Sequence, residues 1–360
     1  MSNEQIQQNV ATPAVDVVGA SRATAIGAGK ATATAVGSAT AVGKATAVTV
    51  DGVAVDKVTI DKAFVVDKAL VARRFARARL TYDGEAHVQR QVGERMLRLL
   101  TDALLDQGVA PTGLATRFRH IVELGCGPGT LSRRLCQTFR PDTVVLNDLC
   151  PEMEESLHDL ITPPAVAPQS GEAKTLALTE GSGETSCRSP RVRFVPGDAE
   201  TLALPEGTDL VVSCSTLQWF AAPEAFLRRC RQALAPGGWL AVSTFGPDNL
   251  REIRTLTGDG LAYSDLDALR AQLAAAGFAR VHGEEERLTL WFDSPAAVLR
   301  HLKLTGATAG SGRRPWTRGQ LAAFCRDYAA RYGQGGVKGG VNLTFHPIYL
   351  LAQKPPADRA

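Results

Sequence analysis

The residues best equipped for chemistry stand together in E-L-G-C-G-P-G, from Glu123 to Gly129. Glu123 lies in the apolar run H-I-V-E-L, which reads as a strand, and Gly125, Gly127 and Gly129 occupy the turn after it. Glycine lets a backbone turn tightly and approach a ligand where a Cβ would collide. A helix opening at Thr130 would aim its N-terminal amides at the same place. A dinucleotide fingerprint requires G-x-G-x-x-G. Here the third glycine falls one place early, and an acid opens the loop where a pyrophosphate would be repelled. An anion at that point suits a cationic cofactor instead, one carrying an ammonium and a sulfonium.

Two more acids follow in a consistent order. Asp148 ends the next apolar run, at about the 20-residue offset where an acid can take both ribose hydroxyls. Asp198, in F-V-P-G-D-A-E, follows the third run and is placed to receive an adenine amino group, with Ala199 beside it. The fourth run ends at Ser213–Trp219, the edge at which open α/β sheets hold ligands.

These residues need a frame. From Ile121 short apolar runs alternate with amphipathic stretches: strands at 120–125, 143–149, 191–198, 209–215 and 237–245, helices at 130–139, 153–160 and 223–234. That alternation predicts a parallel, doubly wound α/β sheet. Ahead of it, 66–105 carries apolar residues at helical spacing (Leu70, Phe75, Val88, Val92, Met96, Leu99, Leu100), read as two helices broken around Tyr82–Gly84. After Phe245 the pattern gives helices at 266–276, 295–304 and 318–332, a strand-like E-E-R-L-T-L-W-F, and a last strand at 341–351. Residues 1–62 repeat alanine, valine, threonine and glycine and offer little large apolar surface, so they read as a disordered head. Residues 161–190 are rich in Pro, Gly, Ser and Glu and read as a surface insertion.

Composition narrows the function. Forty basic and 37 acidic residues leave a net charge of +3, so any basic partner site must be local, and neither nucleic acid nor a membrane is expected as partner. Seven cysteines without a C-x-x-C pair argue against a disulfide framework or a zinc site, and no metal is expected. No apolar run reaches the roughly 18 residues of a membrane span. The start, M-S-N-E-Q-I-Q-Q-N-V, lacks the basic and apolar regions of a secretory signal. A cytoplasmic protein is expected.

Over residues 119–246 these motifs resemble the class I S-adenosylmethionine-dependent methyltransferases. The flanks extend the resemblance: K-A-L-V-A-R-R-F-A-R-A-R-L-T-Y-D-G-E-A-H-V-Q-R-Q (68–91), S-T-L-Q-W-F (215–220), L-T-L-W-F-D (288–293), L-K-L-T-G-A-T (302–308) and N-L-T-F-H-P-I-Y (342–349). In that combination, over 66–353, the chain is similar to the malonyl-acyl-carrier-protein O-methyltransferases of biotin synthesis. The head, the insertion and Cys214, where such enzymes often have asparagine, depart from the pattern.

The resemblance implies a Rossmann-like, seven-stranded methyltransferase sheet, with N-terminal helices (63–118) over the active site. It also implies a cofactor core (119–246), a completing segment with a helical substrate cap (247–353) and a tail (354–360). S-adenosylmethionine would be held by Glu123, Gly125, Cys126, Gly127 and Gly129 at its methionine end. Asp148 would take the ribose, Asp198 and Ala199 the adenine, with Leu149 and Met153 on the adenine face and Ser213 near the methyl. The acceptor would be the free carboxylate of a malonyl thioester on acyl carrier protein or coenzyme A. Such carboxylates have a pKa of about 4, so the nucleophile is already ionised and needs no base.

Tyr82, Arg77 and Lys303 are candidates for the acceptor carboxylate, with Thr305 and Thr308 as further donors. Trp219 and Trp291 are candidates for the tunnel. Arg73, Arg74, Arg77 and Arg79 form a local basic helix that would steer an acidic carrier. Two other readings stay open: a small-molecule or quinone-type methyltransferase, which would not need the arginine-rich helix, and a methyltransferase-like assembly factor acting on a protein partner. The second would favour an arginine-rich presequence, whereas residues 1–62 hold one arginine, Arg22.

Overall fold

Alternating apolar and amphipathic segments become a central sheet flanked by helices in a computed structural model of the chain, which describes residues 6–8, 66–161, 190–307, 316–334 and 340–357. In chain order the first elements are β1 (Ile6–Gln8), α1 (Lys68–Glu85), α2 (His87–Asp106), β2 (His120–Leu124), α3 (Thr130–Phe139) and β3 (Thr143–Asp148). Then come α4 (His158–Ile161), β4 (Arg191–Pro196), β5 (Thr208–Cys214), α5 (Pro223–Ala233) and β6 (Leu234–Phe245). The rest comprises α6 (Arg251–Thr257), α7 (Leu266–Ala275), β7 (Ala279–Glu285), β8 (Leu288–Phe292), α8 (Pro295–Leu304) and α9 (Arg318–Tyr332). The chain closes through β9 (Gly333–Gln334), β10 (Gly340–Phe345) and β11 (Pro347–Gln353).

The main sheet has seven strands in the order β4-β3-β2-β5-β6-β11-β7. Strands β4 to β6 pair in parallel, and β11 runs antiparallel between β6 and β7. This is the doubly wound α/β sheet the alternation predicts. Its central strands, β3, β2, β5, β6 and β11, are largely buried on both faces, as a sheet covered on both sides must be, while the edge strands β4 and β7 expose charged residues. Ile121, Val144 and Leu210 pack on one face with Val92, Met96 and Leu135 of α2 and α3. Val122, Val211 and Leu240 pack on the other with Phe226, Leu227, Leu269 and Leu273 of α5 and α7. The order of strands reverses beside β2, so the loops after β2 and β5 open at the crevice where such sheets bind ligands.

Three departures from the sequence reading bear on the site. The break between the first two helices falls at Ala86, one turn later than expected; Ala86 is buried and its N–H donates to Tyr82 O at 2.7 Å, so Tyr82 stays helical. The expected last strand at 341–351 is two strands in two sheets. β10 pairs with β8 in a four-stranded sheet ordered β1-β8-β10-β9, and β11 joins the main one. The chain changes sheet at His346, whose carbonyl accepts Gly246 N at 2.7 Å and whose Nε2 lies 3.2 Å from Glu285. Within the expected head, Ile6–Gln8 pairs antiparallel with β8 as that sheet's edge strand. The rest of the head and residues 162–189 of the insertion lie outside the described residues.

α6 gives no periodic signal, yet it shapes the site. Its Glu252 is fully buried and accepts from Asn342 Nδ2 (2.9 Å), Thr344 N (3.0 Å) and Thr344 Oγ1 (2.5 Å), pinning the helix to β10. α1 lies on α8, where Thr81 Oγ1 donates to Leu304 O at 3.0 Å and Gly306 admits the Phe75 ring.

Candidate active site

The loop after β2 has Gly125, Gly127 and Gly129 all at positive φ (73°, 53° and 86°), a region that favours glycine. Their neighbourhoods differ. A Cβ on Gly125 would overlap the Thr216 side chain, and one on Gly129 would meet Leu157, so those two glycines serve close packing. A Cβ on Gly127 would meet nothing within 4 Å. Its backbone therefore faces open space, and Gly127 N donates to Asp148 Oδ2 at 2.8 Å. Asp148 Oδ1 in turn accepts from Cys150 N at 2.9 Å. Two backbone amides thus hold the Asp148 carboxylate at the wall of a cavity of about 90 Å³, which Leu149, Met153, Asp198 and Ala199 also line.

Glu123 is 1% exposed. Its Oε2 is buried without a hydrogen-bond partner, in the wall of an adjoining cavity of about 70 Å³ that also takes Gly125, Cys126 and Gly127. Burial pushes its carboxyl up to about 8, and the negative charge of Asp148 adds to the effect. A buried acceptor left unmatched costs free energy unless a ligand meets it. A cationic amine at this point would match it. The residues present therefore fit the cofactor the loop suggested: Glu123 for an ammonium, Asp148 for a diol, and Asp198 and Ala199 at the far end.

α1 roofs this cleft. Val71, Phe75 and Tyr82 line it, and Lys68 reaches across to Asp198 at 2.6 Å and to Glu200. Glu200 also accepts from Ala221 N (2.9 Å) and Ala222 N (2.7 Å) before α5. Asp198 is thus an ion-pair partner of the roof as well as a cavity residue. No local signal marked Lys68 or Glu200; only their meeting across the fold does.

Beyond the roof lies a third cavity of about 220 Å³, walled by apolar groups of α6, α8 and β10 such as Ile253, Leu299, Leu302 and Phe345. Phe75, Tyr82, Ser215 and Trp219 line both it and the cofactor cleft, so the two spaces meet there. The Phe75 and Trp219 rings stand edge to face at 5.9 Å, with Tyr82 6.3 Å from Phe75. Ser215 has a φ of 54°, unusual for a side-chain-bearing residue, and its N–H is held by Ser243 O (3.0 Å) and Ser243 Oγ (3.1 Å). Backbone forced into this region by several neighbours is characteristic of functional sites.

Other expected residues lie elsewhere. Ser213 is fully buried and donates to Leu124 O at 3.1 Å, lining none of the three cavities; Cys214 and Ser215 occupy the place expected of it. Lys303 and Arg77 are exposed and line none of them, whereas Thr305 is buried in the wall of the large cavity. Thr308 is outside the described residues. The four arginines separate: Arg79 pairs with Glu155 at 2.5 Å and Arg74 is half-buried, while Arg73 and Arg77 are exposed on one helix face with Leu80, itself 85% exposed. The thiols of Cys126, Cys150 and Cys214 beside the cleft are all raised by burial, the last two to about 12 and 11, which leaves no thiolate nucleophile. Among the described residues no cluster could hold a metal ion, and no helix is long and apolar enough to cross a membrane.

A doubly wound sheet with a glycine loop after β2, a buried acid at the head of that loop and an acid ending β3 are the frame of a methyltransferase that takes its methyl from S-adenosylmethionine. Residues 122–242 match the family model described as a methyltransferase domain. The malonyl-[acyl-carrier protein] O-methyltransferase of Bacteroides helcogenes is 47% identical over 289 residues, covering 80% of this chain and 99% of that one. Those of Bacteroides thetaiotaomicron and Acinetobacter baylyi are 39% and 34% identical, covering 80% of this chain and 99% and 98% of theirs. The chain belongs to the malonyl-[acyl-carrier protein] O-methyltransferase family. Among solved structures, the YcgJ protein of Bacillus subtilis is 14% identical and covers 69% of this chain and 98% of its own, with a TM-score of 0.45, a likeness too loose to place any side chain.

Proposed function

We propose that this chain methylates the free carboxylate of a malonyl thioester borne by acyl carrier protein, the step that opens pimeloyl assembly for biotin. The observation that carries the reading is the junction of cofactor cleft and apolar cavity at Phe75, Tyr82, Ser215 and Trp219. Bound S-adenosylmethionine supplies an electrophilic methyl on a sulfonium. Glu123 would hold its ammonium, Gly125, Cys126 and Gly127 would line the methionine portion, and Asp148 would take the ribose hydroxyls. Asp198, Ala199, Leu149 and Met153 would receive the adenine, and Gly129 sets the turn into α3.

None of the four residues at the junction is an acid or an amine base, which suits an acceptor that arrives ionised. The junction's work is to strip water from a hydrated carboxylate and hold it in line with the methyl. Tyr82 and Ser215 offer the hydroxyls there. Neutralising a carboxylate against a sulfonium is favoured by the apolar walls, because charge is lost on the way to the ester. Arg73 and Arg77, exposed on the roof, are assigned to docking an acidic carrier. Lys303 is exposed in the last turn of α8, beside the Thr81–Leu304 contact with the roof helix, and is assigned to the same docking. The described cysteines are all free, which supports a cytoplasmic setting.

The test is intact mass spectrometry of malonyl-carrier protein after incubation with enzyme and S-adenosylmethionine, with acetyl-carrier protein as control. A gain of one CH₂ on the malonyl form alone, lost in Gly127→Val, is expected. Absence of that gain with cofactor binding intact would leave a methyltransferase with another acceptor.

A further inference from the structure

The large cavity contains one feature that the four residues of the junction do not explain. Among its described lining residues the only cation is Arg254, on α6. It is half-buried, and its guanidinium makes no ion pair or hydrogen bond with any described residue. Its stem packs over Gly260, where a Cβ would come within about 2.5 Å of Cγ and Cδ. Its head lies over the Tyr263 ring, 5.8 Å from the centroid.

Tyr263 is itself held, since its hydroxyl accepts Asn249 Nδ2 at 2.9 Å. Asn249 is buried, and its Oδ1 accepts His346 N at 3.3 Å, at the residue where the chain changes sheet. Glu252 locks α6 to β10 two residues before Arg254. Stacking and packing therefore orient an arginine whose five donors meet no acceptor among the described residues, in a wall that is otherwise largely apolar. Asp259 lines the same cavity and has an interaction of its own. A guanidinium held in this way presents its fork to the cavity, where an anion would meet it with charge-assisted hydrogen bonds. A solvated surface arginine would have none of this support.

We infer that Arg254 is the residue that grips an anionic group of the acceptor, and where that group is the carboxylate it also distinguishes malonyl from neutral thioesters. This rests on the acceptor proposed above. A malonyl thioester on carrier protein or coenzyme A offers two anions, its carboxylate and the phosphate of its pantetheine arm, and the same fork geometry recognises either.

Three acceptors separate the sources: malonyl-carrier protein, malonyl-coenzyme A and malonyl-N-acetylcysteamine, which has the carboxylate and no phosphate. Arg254→Met keeps the stem and removes the charge. It should raise KM and lower kcat/KM by about a hundredfold, the usual scale for losing one side of a desolvated charge pair. Arg254→Lys should recover part of this, and the affinity for S-adenosylmethionine should be that of wild type in both variants. Loss on all three acceptors assigns the carboxylate. Loss on the two larger ones alone assigns the phosphate. Unchanged kcat/KM on all three overturns the inference and leaves the proposed reaction standing. A wild-type enzyme inactive on every malonyl thioester overturns that reaction and this inference with it.

Discussion

At the scale of single residues the most consequential feature is a buried carboxyl with one oxygen left without a hydrogen-bond partner. Glu123 sits buried with a pKa of about 8, so below that pH it is largely protonated in the free protein. An ammonium binds the ionised form, and cofactor uptake on the acid side must therefore release a proton. Affinity should rise about tenfold per pH unit from pH 6 toward 8. Above roughly 8 the cofactor's own α-amino group loses its charge, so affinity should fall again. Calorimetry in buffers of different ionisation enthalpy reads both limbs as proton release and uptake. In Glu123→Gln the acid limb should vanish and binding weaken about a hundredfold; an unchanged pH profile would mean that another group meets the amine. The loop glycines make a second contrast. Gly125→Ala must displace Thr216 and should cost about 2 kcal/mol or more of stability. Gly127→Ala pays only for its φ, roughly 1 kcal/mol, yet should lose cofactor binding because its Cβ enters the open space. Thermal melts beside titrations distinguish the two.

At the scale of elements, function depends on how α1 is fastened over the cleft. Lys68 ties its first turn to Asp198 and Glu200, and Phe75 seats against Gly306 beyond α8. The lysine pair is partly exposed, so Lys68→Met should cost only about 1 kcal/mol in stability. Its larger effect should be faster cofactor release, measured by stopped-flow, with quicker amide exchange in the first turns of α1. Gly306 has a φ of 72° and its Cβ would lie 3.0 Å from the Phe75 ring. Gly306→Ala should therefore cost about 1–3 kcal/mol and lower kcat, because Phe75 belongs to the junction as well as to the packing. A substitution there that lowered stability and spared turnover would place the junction elsewhere.

At the scale of the whole molecule a net charge of +3 is too small to steer an acidic carrier, so the steering must come from where charges stand. Arg73 and Arg77 face outward from the roof of the site, with exposed Leu80 a turn beyond, while Arg79 is spent on Glu155. Reversing both outward charges, Arg73→Glu with Arg77→Glu, should raise KM for malonyl-carrier protein about tenfold or more and flatten its salt dependence. Malonyl-coenzyme A should be handled as before, since it presents no protein surface. Equal loss on both acceptors would assign these arginines to the small-molecule portion of the substrate.

What the sequence determined alone is what short stretches of chain decide by themselves. Positive φ demands glycine at Gly125, Gly127 and Gly129, an acid opens the loop, and apolar runs of strand length alternate with amphipathic helices, so the parallel sheet and its cofactor edge could be read directly. The helices 295–304 and 318–332 were legible for the same reason: a proline or a capping threonine opens each, and apolar spacing runs through it. Tertiary structure decided whatever depends on partners remote in sequence. Lys68 meets Asp198 across 130 positions, and Glu252 meets Thr344 across 92. Without the second contact α6 is a seven-residue helix with no amphipathic pattern, and Arg254 an ordinary arginine. The 341–351 run has strand-forming residues on both sides of His346–Pro347, so the proline marks a break without saying which sheet each half joins; the hydrogen bonds of Gly246 and Asn249 decide that. Periodicity and backbone preference are properties of neighbours, whereas a cavity is made by side chains that only the closed fold brings together.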